Sequence, residues 1–150
     1  MLISVTRLRV RSFCYLAAFM WHTIRSQKQL ARAAGFREGK VLADAHRTFW
    51  TMTAWESERE MKAFRGSAAH AKAMPHLAQW CDEGAYVHWA EEEEDALPSW
   101  AVACERFMAE AKMSRVEHPS ADHQARRFAP PRLSPQIGGA VRPARSLGRV

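Results

Sequence analysis

Apolar and polar positions change period several times along the chain, and each change marks an element. From Ser4 to Arg11 the residues alternate, with Val5, Arg7, Arg9 and Arg11 on one side and Ser4, Thr6, Leu8 and Val10 on the other. That is strand periodicity with one charged side. From Phe13 the period lengthens. Leu16, Met20, Thr23, Gln27, Leu30 and Ala34 recur at steps of three or four and predict a long helix, ended by Gly35 at a C′ position. Lys40 to Ala45 is a weaker strand, joined through a hairpin turn at Asp44 to Arg47 to a stronger one, Thr48 to Trp55, rich in β-branched and aromatic residues. Ser57 opens the next helix with Glu60 three residues on, the spacing of a capping box, and Glu58 complements the helix dipole. Met61, Phe64 and Ala68 form its apolar face. Pro75 predicts a break, after which a shorter helix resumes through His76, Leu77 and Trp80. Asp82 to Gly84 supply turn chemistry, and Ala85 to Ala90 reads as a return strand.

This order, β, α, β, β, α, β, predicts an α+β fold: a ferredoxin-like βαββαβ domain within residues 1–95, with both helices on one face of a four-stranded antiparallel sheet. The other face then needs cover. Trp50 and Met52 project to one side of their strand while Phe49, Thr51, Thr53 and Trp55 project to the other, and the sequence leaves open which set meets the helices.

The run FWTMTAWESEREMKAFRGSAAHAKAM and the following WCDEGAYVHW resemble the dimeric α/β-barrel superfamily, in particular antibiotic-biosynthesis-monooxygenase-like proteins. The residues that carry the resemblance are Trp55 ending the third strand, Glu56 and Ser57 after it, Phe64 in the next helix, and the pair Ala69 and His70. It covers roughly residues 3 to 90. The resemblance implies a homodimer that pairs two sheets into a barrel, and a pocket between sheet and helices for a small apolar, aromatic or polyketide-like ligand. His70 matches the Ala-His position and is the candidate general base. His22, Trp50, Met52, Trp55 and Phe64 are the candidate pocket residues.

Three functions stay open: a cofactor-independent monooxygenase with His70 as base, a haem-binding or haem-modifying protein in which His70 meets iron, and a non-catalytic small-molecule-binding dimer. No cofactor is the first expectation and haem the alternative. A metal site has no support in the spacings, since His70 and His76, or Cys81 and His88, match no recognised chelate.

Composition changes the picture mainly at the C-terminus. The net charge of +6 arises in the tail: residues 1–111 hold 14 basic and 14 acidic side chains, residues 112–150 hold 8 and 2. Residues 114–150 carry Pro119, Pro130, Pro131, Pro135 and Pro143 among arginines with little apolar periodicity, so disorder is expected and contact with polyanions is non-specific. Between domain and tail, Leu97, Trp100, Cys104, Phe107 and Ala111 predict an amphipathic helix over residues 96–113, preceded by the acidic run Glu91 to Asp95. Arg7, Arg9 and Arg11 before FCYLAAFMW imitate a secretion signal, with Ala31-Arg32-Ala33 as its cleavage site; the reading is set aside because cleavage there deletes the first strand and helix. No apolar run approaches the roughly 20 residues of a bilayer span. Three cysteines without CxxC spacing fit reduced thiols in a cytoplasm.

Overall fold

The computed structural model describes residues 1–92, 96–132 and 138–144. Its elements are β1 (Leu2–Val10), α1 (Phe13–Leu30), β2 (Phe36–Asp44), β3 (Thr48–Trp55), α2 (Glu58–Arg65), α3 (Ala68–Trp80), β4 (Cys81–Ala90), α4 (Trp100–Glu110), β5 (Lys112–Met113), α5 (Ala121–Gln124) and β6 (Gly138–Val141). The sheet is antiparallel in the order β5-β4-β1-β3-β2-β6. Its centre, β4-β1-β3-β2, is the expected ferredoxin-like unit. The sheet has six strands rather than four because β5 adds to β4 and β6 adds to β2.

Local signals decide several boundaries. Ser12 caps α1, accepting from the Cys14 N–H at 3.4 Å, and the helix ends at Leu30 rather than reaching Gly35. Gly35 instead sits at φ 71° just before β2, where an added Cβ would lie 2.4 Å from Glu60 Cγ. The site needs glycine on both counts. Ser57 caps α2, but its hydroxyl accepts from the Arg59 N–H at 3.2 Å and donates to the Glu60 carboxylate, a tighter loop than the expected capping box. The helical interruption falls at Gly66 and Ser67, with Ala68 at φ 46°, and not at Pro75, which lies inside α3. Helix α3 therefore runs directly into β4.

Strand alternation separates two faces. On the helix-facing side, Val10, Phe19, Trp80 and Cys81 form one buried cluster and Leu30, Phe36, Trp55 and Met61 another. On the outer side lie Ile3, Val5, Leu42, Trp50, Met52, Ala54, Ala85, Val87 and Trp89, under Leu97, Ala103 and Phe107 of the segment that follows β4. The sequence assigned this face to a second copy of the chain. The chain covers it itself: Phe107 stands edge-on to Trp50 with ring centroids 4.9 Å apart, and Phe128 stands edge-on to Phe107 at 5.3 Å.

The expectation of disorder over residues 114–150 needs correction for the described part of that segment. Ser114 N–H donates to Gly84 O, Glu117 N–H to Ala78 O and Ser120 N–H to Asp82 O, at 2.8–3.0 Å, which straps the segment to β4 and the end of α3. His123 is buried on α5, with Gly84 N–H 3.4 Å from its Nδ1. Residues 138–141 pair with β2 and Ala144 N–H donates to Ala31 O at 2.6 Å. These anchors are mostly backbone hydrogen bonds, so side-chain periodicity does not report them. Residues 133–137 and 145–150, and the acidic residues 93–95, lie outside the described residues. Among the described residues no helix is long and apolar enough to cross a membrane.

If α4 is part of the core, Phe107→Ala removes a fully buried ring and costs about 3–5 kcal/mol, the range for large-to-small core substitutions. Urea unfolding of the full chain measures it. A change within about 0.5 kcal/mol, the range of an exposed site, would mean that α4 is not docked.

Candidate functional site

An open groove of about 930 Å³ lies between α1 and the α2–α3 pair. Its apolar wall includes Phe64, Ala33, Ala63 and Ala69, and its rim carries Arg25, Lys28, Arg32, Arg59 and Lys72. Arg25, Lys28 and Arg32 stand three and four residues apart, so one stripe of α1 presents them together. The lone carboxylate lining the groove is Glu60. Hydrogen bonds from Ser57 and Arg59 pull its carboxyl down to about 2, so it is ionised at neutral pH and already occupied. The cationic excess is left for a ligand.

Gln29 ties the floor together. Its Nε2 donates to the Ser67 carbonyl and to Ser67 Oγ, both at 2.9 Å, and its Oε1 accepts from the His70 N–H at 3.0 Å. One α1 side chain thereby holds the junction where Ala68 adopts a left-handed backbone. His70 itself is half-buried, with Nδ1 3.1 Å from the Arg65 carbonyl. A carbonyl only accepts, so Nδ1 carries the proton and Nε2 is the basic nitrogen. Burial lowers the His70 pKa below its ordinary 6.5, against the opposing effect of that hydrogen bond. The ring is neutral at pH 7.

Of the residues singled out in the sequence, three come together. Phe64 packs at 5.3 Å from Trp55 and 4.8 Å from His70, and of these three rings only Phe64 lines the groove. The indole N–H of Trp55 donates to Thr53 Oγ1 at 3.0 Å, which fixes that ring. The others lie elsewhere. His22 sits in the α1–α3 contact, 5.8 Å from His76 and 5.4 Å from Trp80. Trp50 and Met52 are buried on the outer side of the sheet, because alternation carries them away from Trp55, and they share no pocket with Phe64.

Residue-by-residue reading missed Gln29 and the α1 basic stripe, although the spacing of Arg25, Lys28 and Arg32 was visible. It also missed a second histidine. On the helix-facing side of β4, His88 stacks on Tyr86 at 9° and its Nε2 lies 3.6 Å from Glu58 Oε1. Lys62, bonded to Glu58 at 2.9 Å, lowers that carboxyl's pKa and keeps it ionised. Among the described residues no group of three or more His, Cys, Asp or Glu side chains is placed to hold a metal ion, and Cys14, Cys81 and Cys104 are free thiols. Burial pushes the Cys81 thiol up to about 12 and the Cys104 thiol to about 11.

No family model and no curated protein matches the chain. Solved structures do. A Nitrosomonas europaea protein provisionally assigned as an antibiotic biosynthesis monooxygenase superposes with a TM-score of 0.55 at 19% identity, over 62% of this chain and 100% of its own. A Mycobacterium tuberculosis protein gives 0.57 at 13%, over 63% and 98%. SnoaB, a cofactor-independent oxygenase from Streptomyces nogalater, gives 0.50 at 16%, over 63% and 95%. The chain thus has the ferredoxin-like α+β fold of antibiotic-biosynthesis-monooxygenase-like structures, with more than a third of its length outside the superposition.

Proposed function

We infer that the chain binds a small acidic aromatic or polyketide-like ligand in the groove between α1 and α2–α3, and oxygenates it without a cofactor. One observation carries the reading: Phe64 is at once a wall of the groove and a ring neighbour of His70, beneath a rim of five cations. A flat phenolic ligand lies against Phe64, the neutral His70 accepts its hydroxyl proton at Nε2, and the rim stabilises the resulting phenolate. The phenolate, a carbanion in its other resonance form, passes two electrons to dioxygen to form a C–OOH group, which loses water to leave a quinone. The protein then supplies binding, a base and partial exclusion of water. The likeness to SnoaB supports this choice of reaction class, and the fold alone does not decide it.

The paired His88 and Glu58 provide a second base of similar chemistry, so the two histidines are tested side by side. With a dihydroxynaphthalene as substrate and oxygen uptake as the readout, His70→Gln is expected to lower kcat by on the order of 100-fold, the contribution of a positioned base. His88→Gln leaves kcat within a few-fold. The reverse pattern moves the base to β4. Binding of the dihydroxynaphthalene with no oxygen uptake makes the chain a non-catalytic binder, and a Soret band in the purified protein makes it a haem protein.

The pH dependence has a fixed sign. A base whose pKa is lowered by burial is protonated and inactive at low pH, so kcat/KM rises with pH through that pKa and levels off earlier than an unburied histidine would give. A kcat/KM that is flat or falls with rising pH over the acidic range would exclude His70. The rim is tested by charge: the double change Lys28→Ala and Arg32→Ala is expected to weaken binding of a hydroxynaphthoate anion about three- to tenfold, and less at high salt. Unchanged affinity would separate the groove from anion binding.

A further inference from the structure

The outer side of the sheet holds a second, partly open cavity that is separate from the groove. Where the β2–β3 turn meets the C-terminal segment, a cavity of about 220 Å³ is bounded by Arg7 and Arg9 of β1, Thr48 of β3 and Glu83 of β4, with Ala129, Pro130 and Arg132 on the side of the segment. At about 30 Å³ per water it has room for roughly seven waters, or one short organic acid.

Its hydrogen-bond accounting is lopsided. Each of the three lining carboxylates already accepts hydrogen bonds. Glu83 Oε2 accepts from Arg7 Nη1 at 2.5 Å, while Oε1 accepts from Arg9 Nη1 at 2.8 Å and from Ser120 Oγ at 2.9 Å. Asp44 accepts from the Ala45 and Arg132 N–H groups, and Asp122 from the Arg127 side chain. Arg9 spends its remaining donors on Asp82, at 2.8 and 2.7 Å.

The donors are not all used. Arg7 is 3% exposed and its guanidinium lies 5.6 Å from the Trp50 ring and 5.5 Å from the Phe128 ring, yet its buried Nε–H has no acceptor. Trp50, its cross-strand partner, has a buried indole N–H in the same condition. Two neighbouring orphan donors, one of them charged, are costly unless an acceptor arrives. Arg132 adds a third guanidinium at the mouth, with its side chain 72% exposed and its Nε 3.6 Å from Asp44.

The geometry points to a binding site for a small monocarboxylate in this cavity, with the buried Arg7 guanidinium as the inner donor and Arg132 at the entrance. A carboxylate fits because it only accepts, matching the unused donor of the buried Arg7. The β2–β3 turn at the rim, with His46 and Arg47 at φ 57° and 61°, and the docked C-terminal segment line the rest of it. The site is therefore built by the part of the chain that covers the outer face, and it is independent of the groove.

The test is a titration of the full ¹⁵N-labelled chain with sodium acetate and sodium benzoate, following the Arg Nε–H and Trp indole N–H resonances. Arg7→Lys and Trp50→Phe assign the two signals. Saturable shifts of the Arg7 signal, with a Kd of about 1–10 mM and no response to equal sodium chloride, are expected for a ligand this small, and the Trp50 signal reports as its cross-strand neighbour. Arg132→Ala is exposed and leaves the fold in place; it should weaken the binding several-fold. No shift with either acid, shifts reproduced by chloride, or an unchanged Kd in Arg132→Ala would each overturn the proposal. Should Arg7→Lys fail to fold, the wild-type titration and Arg132→Ala still decide it.

Discussion

Both faces of this sheet are apolar, so both must be covered, and the contact that settles how is the one between Trp50 and Phe107. Trp50 sits at the centre of the outer face and is 1% exposed because Phe107 packs edge-on against it. Phe128 packs on Phe107 in turn and also lies against the Arg7 guanidinium. Take that stack away and Ile3, Val5, Met52, Val87 and Trp89 lose their cover together, a patch larger than soluble monomers ordinarily expose. The rest of the C-terminal segment follows from this docking. Once α4 is seated, the chain returns along β4, and α5 brings Ser120 and His123 to Glu83 and Gly84.

The arrangement explains how a charged strand residue came to be buried. Arg7 falls on the same face as Val5 by alternation, and in the isolated βαββαβ unit it would reach solvent. Here Glu83 pairs with it and two aromatic rings enclose it. A buried ion pair of this kind contributes little net stability. The more than a third of the chain that the superposed structures lack is where this chain departs from them.

Much of the fold was legible because its elements carry their own signals. Thr48 to Trp55 is β-branched and aromatic throughout, Ser12, Ser57 and Ser99 are N-caps, and the α1 stripe repeats at helical spacing. Pro75 misled because a helix held by tertiary contacts tolerates one lost hydrogen bond, whereas the Gly66–Ser67 junction, with Gln29 bridging it, was the real interruption. The docked segment was illegible because its anchors are main-chain donors and two isolated side chains, His123 and Phe128. At the candidate site, Trp55 and His70 both stand in ring contact with Phe64, and of the three only Phe64 lines the groove. Trp50 and Met52 lie on the other face, and the sequence left this open, since alternation gives two faces without saying which one meets the helices.

Sedimentation equilibrium of the full chain at micromolar concentration tests the central claim, that the outer sheet face is covered in cis by α4 and the segment after it. The account predicts a single species at the monomer mass of 17.1 kDa, and self-association only when the residues after Ala90 are removed. A full-length dimer as stable as the truncated one would contradict it, because the sheet face would then be pairing with a second copy despite α4.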